Sequence, residues 1–75
     1  MATFLYRDFL IIATGLFDKD RGVWLPMVDI SWWSAAGRGA HTVTDSVHSF
    51  VTKQEAETFA VEIAKAWVDE RLRAA

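Results

Sequence analysis

The chain has no cysteine, one proline, four glycines and no marked excess of either charge. Without cysteine it can form no disulfide framework, thiol nucleophile or cysteine-ligated metal site. So little proline and glycine among 75 residues leaves no stretch that reads as a linker or low-complexity segment. Eight basic residues against ten acidic give a net charge of −2. They are evenly spread, with four basic and five acidic up to Thr52 and the same numbers beyond it. No basic stripe emerges of the kind that supplies affinity for phosphate backbones, so a nucleic-acid partner is not favoured. Long apolar runs are missing as well. The stretch from Met1 to Ala13 is interrupted by Arg7 and Asp8, has no basic segment before it, and is shorter than the ~20 residues of a membrane span. It is expected to be neither a signal peptide nor a membrane contact, and the cytoplasm is the expected compartment.

What is present is apolar and aromatic: 52% of the residues are hydrophobic and 13% aromatic. That is ample material to offset chain entropy, so residues 1–75 are expected to fold as one small domain. Segment 6–17 reads as a first strand. Phe9, Ile11, Ala13, Gly15 and Phe17 share one parity and contain nothing polar, while Asp8, Leu10, Ile12, Thr14 and Leu16 share the other. The polar cluster Asp18 to Gly22 is hairpin-loop chemistry. Segment 23–33 alternates again, with Trp24, Val28, Ile30 and Trp32 on the core parity and Leu25, Met27, Asp29, Ser31 and Trp33 opposite. Pro26 cannot donate to a ladder and is expected near the strand start, at an edge or at a bulge. Segment 34–40, with Gly37 and Gly39 around Arg38, reads as the second turn. A third strand is predicted at about 41–51, where Phe50 breaks the parity and marks a bulge or the strand's end.

Thr52-Lys53-Gln54-Glu55 is a capping box. The residues after it have a helical period, predicting a helix over about 53–73. Its inward stripe is Ala56, Phe59, Ala60, Ile63, Ala64 and Trp67, with Arg71 and Arg73 suited to the negative C-terminal end. The fold class expected is α+β, a three-stranded antiparallel meander packed on one C-terminal helix.

One helix covers one face of such a sheet. The other face then carries Leu10, Ile12, Leu25, Met27 and Trp33, beside Thr14, Asp29, Thr42, Thr44 and His48. Val61, Val68 and Leu72 fall to one side of the helix stripe and widen its apolar arc. These eight apolar residues are the candidate interface: a fully buried large apolar side chain contributes about 1.5–3 kcal/mol, which a wet face forgoes. Chemistry is less well provided for. His41 and His48 are an odd number of residues apart and point to opposite faces of a regular strand, so no shared metal is expected. Asp8, Asp29 and His48 fall on one face by parity, but a flat sheet rarely encloses a substrate. Gly37-Arg38-Gly39 lacks the length and the lysine of a phosphate loop. Neither catalysis nor a cofactor is expected.

Tyr6-Arg7-Asp8-Phe9-x-Ile11, Gly22-x-Trp24-x-x-x-Val28-x-Ile30, Phe50-x-Thr52-x-x-Glu55-Ala56 and Ala64-x-x-Trp67-Val68-Asp69 together span nearly the whole chain. In these motifs it resembles a group of small bacterial hypothetical proteins, β-β-β-α domains of unknown function. More loosely, through Thr52-x-x-Glu55-Ala56, it is similar to the N-terminal domain of HicB-type antitoxins. That similarity implies toxin binding and oligomerisation. The expectation from sequence is a protein-interaction module that self-associates, with a nucleic-acid-binding or toxin-binding module as the alternative.

Overall fold

The computed structural model describes residues 1–74. Four strands, β1 (Ala2–Tyr6), β2 (Phe9–Asp18), β3 (Val23–Ser34) and β4 (Gly37–Thr44), precede one helix, α1 (Lys53–Ala74). The strands form a single antiparallel meander in the order β1-β2-β3-β4. The α+β class and the C-terminal helix are as the sequence indicates, but the sheet has four strands, not three.

The extra strand comes from a two-residue hairpin at Arg7 and Asp8, which pairs Tyr6 directly with Phe9. Both turn residues are left-handed, with φ of 51° and 70°. Such tight turns need positive φ at both central positions, normally supplied by Asn-Gly or Asp-Gly. A charged Arg-Asp pair gives no such signal, and in the sequence it reads only as an interruption of an apolar run.

The third connection also shifts. Only Ala35 and Ala36 form the turn, and Gly37 enters β4 with φ 114°. Gly39 lies within the strand, opposite Trp32. A Cβ there would sit 2.2 Å from the Trp32 indole, so the glycine is needed for space and not for flexibility. The last strand therefore covers Gly37–Thr44 and not 41–51. After it, Phe50 returns to pair with Trp24 through two backbone hydrogen bonds of 2.8 and 2.9 Å, with Asp45 to Ser49 looped out between.

The core lies between the sheet and α1. Phe9, Ile11, Ala13, Val28 and Ile30 from the sheet meet Ala56, Ala60, Ala64 and Val68, every one of the four helix residues at 0% exposure. Their spacing of four residues makes a ridge of small side chains, which lets the helix approach closely. Close approach is visible at Gly15, where a Cβ would lie 3.0 Å from the Lys53 side chain and 3.3 Å from Ala56. The burial of Val68 overturns its assignment to an outer interface. It completes the four-residue ridge facing the sheet, while Phe59, Ile63 and Trp67 flank that ridge half-buried.

Candidate functional site

Inward-facing Ile11, Ala13, Val28 and Ile30 fix where their neighbours point. Leu10 and Ile12 on β2, and Leu25, Met27 and Trp33 on β3, therefore lie on the face that α1 does not touch. Four of them are half-buried by their neighbours, whereas Trp33 is 80% exposed. The register places them in rows. Leu5, Leu10, Ser31 and Ala40 cross the sheet together, as do Thr3, Ile12, Asp29 and Thr42, with Leu16 beside Leu25 towards the far end. Leu5, 72% exposed, joins this face from the strand that the sequence reading lacked. The alternation of Thr3, Phe4, Leu5 and Tyr6 was the available signal for it. Near the middle of the face the Asp29 carboxylate accepts a hydrogen bond of 2.6 Å from the Thr42 hydroxyl.

On the helix side the candidates disperse. Val61 is half-buried against the core and Val68 fully buried, leaving only Leu72 exposed, at 39%. The three do not form an outer apolar arc.

The histidines are not placed as parity suggests. His48 lies beyond β4, with Nδ1 2.8 Å from Asp45 and its ring 4.8 Å from that of Phe59 on the helix. It does not join Asp8 and Asp29 on the open face. His41 faces the helix and stacks on Trp67, ring centres 4.9 Å apart and planes 14° from parallel. Their aromatic partners are eight residues apart on α1, about 12 Å at ~1.5 Å per residue. Among the described residues no three His, Asp or Glu side chains gather as a metal would require.

Displaced pKa values mark clasps that hold the fold together. Asp69 sits below the ordinary carboxylate value because the Arg7 guanidinium donates to it at 2.9 Å and the Tyr6 hydroxyl donates as well. The same bond raises the Tyr6 hydroxyl above its usual range. Asp18 is lowered chiefly by the Arg21 side chain and Asp45 by the His48 backbone N–H, each within its own turn. Aromatic contacts do similar work: Arg71 lies 4.4 Å from the Trp32 ring and 5.4 Å from that of Trp67. Arg7 and His41 are thus committed to the helix side, whereas Arg38 stands beside Trp33.

No protein-family model, curated protein or solved structure matches this chain. The surface has to be read from its own geometry. Three hollows offer a choice, and one of them, of about 480 Å³, lies at the end of α1 between Trp67, Glu70, Arg71 and Ala74, where Arg71 is already engaged with the Trp32 and Trp67 rings. A second, of about 420 Å³, lies between Phe50, Phe59, Thr52, Glu55 and Thr58 at the helix start. Its polar groups serve the helix: Glu55 N–H donates to the Thr52 hydroxyl, that hydroxyl donates to the Glu55 carboxylate, and Thr58 donates to the Gln54 carbonyl. The third, of about 340 Å³, opens on the helix-free face between Leu5, Leu10, Ser31, Trp33, Asp8 and Arg38. Among the described residues, Asp8 and Arg38 have no ion-pair partner. Its lining joins apolar walls to one charge of each sign. Among the described residues no helix is long and apolar enough to cross a membrane.

Proposed function

We propose that this chain is a binding module that associates with a second copy of itself through the helix-free face of its sheet. The observation that carries this reading is the face itself: Leu5, Leu10, Ile12, Leu16, Leu25, Met27 and Trp33 share it, and α1 covers only the opposite side. At ~4.8 Å between strands and ~3.3 Å per residue, four strands present roughly 500–600 Å². Two such faces together bury about 1,000–1,200 Å², the lower limit for a specific interface. Association at micromolar concentrations, between two small chains, fits that area. A two-fold dimer is the simplest closed form of it.

Sedimentation at tens of micromolar is the test. The expected result is a dimer that Leu10→Lys and Leu25→Lys convert to monomer with unchanged circular dichroism. A strictly monomeric wild-type chain overturns the reading. A mass shift produced only by added oligonucleotide would instead favour a nucleic-acid-binding module, for which the exposed Trp33 beside Arg38 is the supporting feature.

A further inference from the structure

Resting on that reading, we infer that the copies meet about a two-fold axis running along β3 at Trp33, so that Asp8 of each pairs with Arg38 of the other. The register gives the arrangement. Trp33 pairs with Arg38 on β4, and Asp8, immediately before β2, lines the same groove from the other side. The order across the sheet is acid, indole, base, one strand apart at ~4.8 Å each.

For two sheets placed face to face, the two-fold axis lies in the plane between them. An axis across the strands at this level sets Asp8 against Asp8 and Arg38 against Arg38. An axis along β3 exchanges the two sides of the row, so both outer contacts join unlike charges while the two indoles meet at the centre. Like charges directly opposed are costly and unlike ones set the register, so the second arrangement is selected. Near the Trp33 row the rest of the face tolerates it: Leu10 comes over Ala40, a large side chain over a small one. β1 is left at the rim, so the contact draws on β2, β3 and β4 and buries roughly 950 Å² over the two faces, the weak end of specific association.

Asp29 lies on the axis strand and is the residue to check. Aligned sheets cross at about 30°, and Asp29 is about 13 Å along β3 from Trp33 at ~3.3 Å per residue. The crossing carries the two carboxylates roughly 7 Å apart sideways, each turned to its own Thr42. Strong exposure of Trp33 and the absence of ion-pair partners for Asp8 and Arg38 among the described residues are what this contact would relieve. Tryptophan and arginine are the side chains that most often dominate an interface.

The experiment is a charge exchange read by sedimentation at low and high salt, with thermal melts to check folding. Asp8→Arg and Arg38→Asp are each expected to weaken dimerisation about tenfold at low salt, and the double exchange to restore it. Asp8→Asn, which keeps a residue type at ease at positive φ, is expected to weaken it less and without loss of folding. Strengthening by Asp8→Asn, as the crosswise axis requires, overturns the inference. So does a dimer indifferent to all three changes yet abolished by Leu10→Lys, a result that leaves the self-association reading standing. A monomeric wild-type chain removes both together.

Discussion

At Gly39 one missing methyl group makes room for a tryptophan against the middle of a strand. The indole of Trp32 occupies the space where a Cβ would stand, and the same indole carries the Arg71 guanidinium on its way to Phe9 and Trp67. Gly39→Ala must therefore displace a large side chain from a packed aromatic group or push β4 outward. The expected cost is about 1–3 kcal/mol, as for other overpacked sites, measured by urea denaturation. Gly39→Ala combined with Trp32→Val should recover part of it. At Arg7 and Asp8 the argument runs the other way, since two side-chain-bearing residues occupy a conformation that glycine or asparagine would adopt more cheaply. Arg7 is held there by Asp69, and Asp8 stands at the rim of the groove.

Among the elements, α1 was the most legible and β1 the least. Thr52 and Glu55 announce the helix, and the structure shows that box closed, though the Glu55 carboxylate takes the Thr52 hydroxyl and not the Thr52 amide. Thr52→Ala removes the acceptor for the Glu55 N–H and should cost about 1 kcal/mol in a thermal melt, while Thr52→Ser should cost much less. The strand parities of β2 and β3 were readable because one parity from Phe9 to Phe17 holds nothing polar while Thr14 marks the other, and because Asp29 stands between Val28 and Ile30. β1 escaped because its hairpin uses an unusual residue pair. The start of β4 escaped because glycine between two turns' worth of small residues signals a loop, and only the position of Trp32 shows otherwise. The helix stripe was read one flank too far from Val68, since a strict four-residue ridge drifts around the axis relative to a period of 3.6. Of the candidate interface, the five sheet residues share one face, whereas the three helix residues do not form a surface together.

For the molecule as a whole, three carboxylates, Asp18, Asp45 and Asp69, titrate below the ordinary value of 3.8. Their contribution to stability is complete above that value and is lost as pH falls through their lower folded-state values. Tyr6 acts in the opposite sense: raised above 10.0, it favours the fold below that pH, and the benefit fades as pH climbs through the raised value. The midpoint of urea unfolding should therefore be flat through neutrality and decline below about pH 4 and again above about pH 10. Asp69→Asn should blunt both declines, because it removes the partner of Arg7 and of Tyr6 at once. An acid limb unchanged in that variant would show that Asp69 is not what couples the first hairpin to the helix.

Of the four tryptophans, Trp24, Trp32 and Trp67 are half-buried in aromatic company, and Trp33 alone stands in water. The separate chain consequently carries its own optical label: a small soluble quencher reaches one indole ahead of the others, and the proposed pairing of copies through Trp33 should close that access and shift its long-wavelength emission to the blue.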